Sequence, residues 1–375
     1  MEFNIHVQVL TIVFVVALVM GAIVSKTNFC TMGAVSDWIN MDDTGRLRGW
    51  LFAMAIATLG VAVLEWTGKV TVPGDSFPPY RTASFGWLRY LAGGLLFGVG
   101  MTLASGCGNK TLVRVGGGNL KSIVVLVIAS IMAYLMLWTP FYEKLFHPWV
   151  SATTIDLSLH GMNSQQIGTV VLGLAGMQAS PGVNAGIALV FAAALLVFVF
   201  RSAEFRGNVD HWLGGGIVGL AVLIGWYVTG GPMGQAWKEY AEFATQVPSR
   251  VQVQSYTFIS PMGDTVRYLL DPAKFTLINF GVAALAGVIV GSFVYALLTR
   301  SFRIEWFVSG RDFVNHAAGA VLMGIGGVLS MGCTVGQAIT GMSTMALGSL
   351  LTFLAIVAGA AGTMKYQYWR MMQEE

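Results

Sequence analysis

The residues in this chain best equipped for chemistry are its three cysteines, Cys30, Cys107 and Cys333. None belongs to a C-x-x-C spacing, so they mark neither a disulfide framework nor a zinc ribbon. Cys107 sits in Ala104-Ser105-Gly106-Cys107-Gly108-Asn109-Lys110-Thr111, and Cys333 in Leu329-Ser330-Met331-Gly332-Cys333-Thr334-Val335-Gly336. A shift of 226 residues superposes Gly93 on Gly319, Gly98 on Gly324, Gly100 on Gly326, Leu103 on Leu329, Gly106 on Gly332 and Cys107 on Cys333. Two thiols therefore hold the same place in two copies of one unit, and a repeat of that kind governs the reading of the fold.

A Gly-Cys pair at the start of a short helix has two useful properties. The first-turn N–H groups lack intrahelical partners and sit at the positive end of the helix dipole. They offer an anion site without a charged side chain. The thiol adds a soft, weak S–H donor at the same point. Two such ends facing each other would cradle an anion of soft sulfur character, with Cys30, Cys107, Cys333, Gly106 and Gly332 as the pathway residues. The plainer reading of a cysteine in an apolar stretch is a small buried hydrophobe. That reading suits Cys30 taken alone; the matched positions of Cys107 and Cys333 argue against it for the pair. The 19 methionines and most of the 47 glycines read as packing.

Other chemistry finds little support. Five scattered histidines form no metal-ligand pattern. Gly108-Asn109-Lys110-Thr111 lacks the Gly-Lys dipeptide and the preceding strand of a phosphate loop. No G-x-S-x-G or H-E-x-x-H motif occurs, so a hydrolase or metalloprotease is set aside. No basic run of the nucleic-acid type is present.

The elements that must position the thiols are membrane helices. The chain is 55% hydrophobic and 10% charged, against about 25% charged for a soluble domain, and its mean hydropathy is +0.69. So little charge cannot cover a water-facing surface. Nine stretches approach the ~20 residues needed to cross a bilayer: 7–24, 49–67, 90–104, 122–139, 183–200, 212–230, 277–299, 316–331 and 346–362. The first lacks a basic n-region and a cleavage site, so it reads as a span and not a signal peptide. Asn28–Trp38, Cys107–Val115, Ile167–Met177 and Cys333–Met342 are apolar but too short to cross. Those that begin at a Gly-Cys pair read as re-entrant half-helices, and broken backbone at membrane depth points to a pathway.

With the N-terminus outside, 13 of the 21 Lys and Arg residues fall on short inside segments, as the positive-inside rule asks. The C-terminus is then cytoplasmic, and the units carrying Cys107 and Cys333 are inverted relative to each other. The expected architecture is an all-α polytopic membrane protein of about nine spans. It is one embedded domain over 1–375, with pseudo-symmetric halves at roughly 1–140 and 212–365 joined by 141–211, a common transporter plan. The region related to Cys30 by the repeat is Thr257–Gly263, which has no cysteine, so the symmetry is partial. No ionisable residue lies in the central part of the nine stretches, which argues against a proton relay.

The segment Gly21-Ala22-Ile23-Val24-Ser25-Lys26-Thr27-Asn28-Phe29-Cys30-Thr31-Met32-Gly33-Ala34 resembles the first signature of the YeeE/YedE thiosulfate transporters. Gly98–Gly108 resembles the second, and Gly319–Gly336 the third. Gly287–Phe293 and Ile259-Ser260-Pro261 are similar to further segments, so the resemblance runs along nearly the whole chain. It implies a bacterial inner-membrane permease of hourglass shape that takes thiosulfate, or another sulfur or selenium species, into the cytoplasm with no cofactor. It implies that Cys30, Cys107 and Cys333 line the constriction and relay the ion through weak S–H contacts. It also implies a small TusA-like sulfur carrier as a cytoplasmic partner. In that reading thiosulfate passes Cys107, Cys333 and Cys30 and leaves toward Lys26, Lys110 and Arg114. Two alternatives stand beside it: a membrane thiol enzyme that forms a persulfide and delivers sulfur to a carrier, and, less well supported, a soft-metal site of three thiolates.

Overall fold

The computed structural model of the chain describes residues 4–374. Thirteen helices build the frame. They are α1 (Ile5–Thr27), α2 (Thr31–Met41), α3 (Gly45–Trp66), α4 (Trp87–Leu103), α5 (Gly108–Gly116) and α6 (Leu120–Trp138). After a long connection come α7 (Pro181–Phe200), α8 (Val209–Gly230) and α9 (Ile259–Leu270). The last are α10 (Phe280–Leu298), α11 (Gly310–Leu329), α12 (Thr334–Gly341) and α13 (Leu347–Glu374). Nine helical stretches among the described residues are long and apolar enough to span a membrane, matching the nine expected from sequence. The protein is an all-α, multi-pass membrane protein. Its one sheet among the described residues pairs β1 (Ser84–Phe85) antiparallel with β2 (Ile155–Asp156), Ser84 opposite Asp156, tying two long connections together.

Local signals set where the long helices begin. Asn4, Asn119, Ser180, Asn208, Asn279 and Ser309 each stand at an N-cap and accept a first-turn amide through the side chain. A cap of this kind contributes about 1 kcal/mol. Pro181 follows Ser180 at the first helical position, where its missing N–H costs nothing.

Packing between spans runs through small residues, as expected where lipid supplies no hydrophobic drive for helix association. At the crossing of α4 and α11 the contacts are reciprocal. A Cβ on Gly93 would meet the Gly326 carbonyl at 2.9 Å, and one on Gly100 would meet the Gly319 carbonyl at 2.7 Å. Early α4 thus lies on late α11 and late α4 on early α11, so the two helices are antiparallel. Since the 226-residue shift carries Gly93 to Gly319 and Gly100 to Gly326, the crossing is self-complementary. The neighbours repeat the pattern: α13 packs on α4 as α6 packs on α11, and α10 on α1 as α8 on α3.

Four short helices start inside the bundle: α2, α5, α9 and α12. Three were legible in the sequence. The fourth, α9, occupies the cysteine-free region 257–263 and begins after Phe258. The segment 167–177 also forms a short helix, Ile167–Leu174.

Candidate functional site

One backbone device makes three of the four internal helix starts. Asn28, Ser105 and Met331 are left-handed, with φ of 50°, 56° and 63°, and each stands two residues before a cysteine. Cys30, Cys107 and Cys333 are then extended and cap α2, α5 and α12. After α4 and α11 the turn closes in the Schellman manner: the Gly106 amide donates to the Met101 carbonyl at 2.8 Å, and the Gly332 amide to the Gly327 carbonyl at 2.7 Å. The left-handed residue is therefore Ser105 or Met331, not the glycine. A side chain there costs roughly 1–2 kcal/mol. The glycines instead permit close packing on the next helix: a Cβ on Gly106 would lie 3.3 Å from Lys110 Cγ, and one on Gly332 3.1 Å from Gln337 Cγ.

The four half-helix starts meet. The side chains of Cys30 and Cys107 are close enough to interact. Cys107 also reaches the hydroxyl of Thr334, the first residue of α12. Cys333 Sγ accepts the Gly336 amide at 3.4 Å, and the Thr257 side chain and Phe258 backbone, at the start of α9, lie against it. The contact order is Cys30, Cys107, Thr334, Cys333, with Cys107 between Cys30 and Thr334. All three thiols are free and buried.

Around them, buried polar atoms lack partners of ordinary hydrogen-bond geometry: Asn109 Oδ1, Thr257 Oγ1, Thr334 Oγ1 and Gln337 Oε1. Their residues are at most 4% exposed. An unsatisfied buried polar group costs about 1–3 kcal/mol, and four of them beside the three thiols make a polar cluster in an otherwise apolar interior. Sequence reasoning singled out the cysteines but missed Thr257, Thr334 and Gln337. The repeat marks the region of Thr257, the counterpart of Cys30, without marking the residue as a ligand.

Positive charge flanks the helix breaks. Lys110 Nζ donates to Asn28 Oδ1 at 2.9 Å, bridging the Cys30 and Cys107 breaks. Arg114 Nη1 donates to the Ser105 carbonyl at 2.7 Å. Arg89 Nε donates to the Leu329 carbonyl at 2.8 Å, at the other break. α2 and α9 each hold a buried aspartate paired with an arginine, Asp37 with Arg46 and Asp264 with Arg250. Tyr80, from the connection between α3 and α4, donates its hydroxyl to the Gly336 carbonyl at 2.6 Å. Burial pushes its phenol well above the usual range, so it stays a neutral donor.

Two cavities lie at opposite ends of α4. One, of about 340 Å³, is lined by Phe77, Arg89, Ser260 and Met331. The other, of about 840 Å³, reaches Met32 and Ser105 and opens past Asp312, His316 and Lys365. Among the described residues no group of three His, Cys, Asp or Glu side chains could hold a metal ion.

A family model described as Sulphur transport matches residues 26–362. The chain is 22% identical over 357 residues to the thiosulfate transporter TsuA of Escherichia coli K12, covering 91% of this chain and 89% of that protein. It is 22% identical over 366 residues to the thiosulfate transporter TsuA of Spirochaeta thermophila, covering 92% of this chain and 94% of that protein.

Proposed function

The chain belongs to the sulphur transport family, and from that premise we propose that it is a permease carrying thiosulfate, or a closely related sulfur-containing anion, past Cys30, Cys107 and Cys333. One observation carries the reading: three thiols and four half-helix starts gather around buried polar atoms without partners of ordinary hydrogen-bond geometry. Both relatives named above are thiosulfate transporters.

The chemistry follows from the donors. Water leaves the anion at this cluster, and first-turn amides, hydroxyls and S–H groups replace it. Each donor is weak, which suits a conduit, because an ion held too tightly would not leave. From the outside the ion enters beside Arg89 and Ser260 and meets Cys333 first. It passes Thr334 and Cys107, then Cys30, and leaves past Gly106, Lys110 and Arg114. Gly332 and Gly106 keep the two turns close to the route. No step is covalent, so the protein acts as a permease and not an enzyme. The ion's own gradient and its consumption inside supply the drive.

The same proposal sets the protein in a bacterial inner membrane with its N-terminus periplasmic and its C-terminus cytoplasmic. The short basic connections support that orientation. Halves at roughly 1–140 and 212–365, joined by 141–211, are related by inversion, which the reciprocal α4–α11 crossing supports. A small TusA-like carrier at the cytoplasmic mouth would consume the cargo. The test is growth of a sulfur auxotroph on thiosulfate alone. Growth with this protein and none without it is expected; equal growth in both strains contradicts the proposal.

A further inference from the structure

Cys30 and Cys107 come from different breaks, yet their side chains are close enough to interact. The Lys110–Asn28 hydrogen bond, at 2.9 Å, clamps the same two segments together a turn away. Cys333 is placed otherwise, against Gly336, Phe258 and Thr257. The molecule thus contains one dithiol and one single thiol. On a route for a sulfur anion, that arrangement has a chemical consequence which transport itself does not use.

We propose that Cys30 and Cys107 are a modification site for polythionates: tetrathionate oxidises the pair to a disulfide and closes the pathway. The inference rests on the permease reading for access, since both thiols are buried. Tetrathionate is two thiosulfate ions joined through a sulfur–sulfur bond. It carries the same sulfonate ends and the same charge, so a chamber that admits thiosulfate presents its thiols with the disulfide of its own cargo.

The step is ordinary thiol–disulfide exchange. One cysteine sulfur, losing its proton to water, attacks an inner sulfur of tetrathionate. The central S–S bond breaks and one thiosulfate leaves, with an S–S–sulfonate on the protein. The second cysteine sulfur, also losing its proton, attacks the first cysteine's sulfur, and the second thiosulfate leaves. The two cysteine sulfurs give up two electrons, the two inner sulfurs of tetrathionate take them, and two protons go to water. The Lys110 ammonium beside the pair draws the dianion in. The product fixes α2 to α5 through an S–S bond of about 2 Å and removes both S–H donors from the route.

The experiment uses the full chain, purified and reconstituted in vesicles, treated with tetrathionate. Thiols are counted by alkylation after denaturation, cross-linked peptides are identified by mass spectrometry, and thiosulfate uptake is followed in the same sample. The expected result is loss of the Cys30 and Cys107 thiols and retention of Cys333. A Cys30–Cys107 cross-link, two thiosulfate ions released per cross-link, and uptake abolished but restored by dithiothreitol complete it. Cys30→Ser is expected to stop at the S–S–sulfonate on Cys107. Three intact thiols after treatment, or a cross-link through Cys333, would overturn the proposal. A Cys30–Cys107 cross-link with uptake unchanged leaves the dithiol standing and overturns its closure of the route, and with it the permease pathway. Thiol-dependent uptake without any cross-link sinks the dithiol alone.

Discussion

A thiol donates weakly and a hydroxyl strongly, and that difference sets what each cysteine contributes. Cys107, in the middle of the contact order, should be the most sensitive. Cys107→Ser keeps a donor and should lower thiosulfate uptake several-fold. Cys107→Ala leaves a charged guest without a partner, worth about 1.5–3 kcal/mol, and should lower uptake by tenfold or more. Initial rates in reconstituted vesicles check both, and equal effects of Ser and Ala would deny the donor role. Lys110 acts through charge and position. Lys110→Gln can still reach Asn28 but removes the charge, so it should raise the KM and flatten its dependence on ionic strength, while uptake at saturation changes little. Cys107 and Cys333 were legible because the repeat marks them. Thr334 and Gln337 were not, because a threonine or glutamine in an apolar segment carries no signal until its neighbours in space are known, and the repeat marked only the region of Thr257.

At the scale of elements, the half-helices depend on anchors at both ends. Each cysteine start is set by a left-handed residue, and α2 and α9 are fixed further along by buried Asp–Arg pairs. Asp264 also accepts Trp138 Nε1 at 3.1 Å and Asn279 Nδ2 at 3.0 Å. Breaking such a pair from one side strands a buried charge, at a cost of about 3–5 kcal/mol. Asp264→Ala should therefore lower the thermal midpoint of the detergent-solubilised protein sharply, whereas removal of an exposed charge such as Glu143 should not. A melting curve unchanged by Asp264→Ala would contradict this. The internal starts of α2, α5 and α12 could be read from their Gly-Cys or Phe-Cys pairs. That of α9 could not: Phe258 caps it without a small residue or a thiol, and only the 226-residue shift pointed there. The π-helical winding of α12 was equally hidden, because its support comes from distant groups, the Tyr80 hydroxyl on the Gly336 carbonyl and the Thr340 hydroxyl on the Tyr256 carbonyl.

For the whole molecule, the α4–α11 crossing joins the two helices that end at the Cys107 and Cys333 breaks. Gly326 meets Phe97 and Gly93 with no room for a side chain, so Gly326→Leu should overpack the crossing by about 1–3 kcal/mol or more and reduce the folded, extractable protein. Apolar length and glycine spacing revealed the nine spans and the repeat, since bilayer thickness and close helix approach act directly on sequence. Which half-helices meet is a property of three dimensions, and the approach of the Cys30 and Cys107 breaks, bridged by Lys110 and Asn28, emerges only there. The central claim is that sulfur side chains form the passage for the anion. The most direct measurement is uptake of radiolabelled thiosulfate by vesicles containing the purified chain, compared with a variant in which Cys30, Cys107 and Cys333 are all alanine and whose melting curve matches the parent. Uptake by the parent and its loss in the variant is the predicted result. Undiminished uptake by the folded, cysteine-free variant would contradict the account.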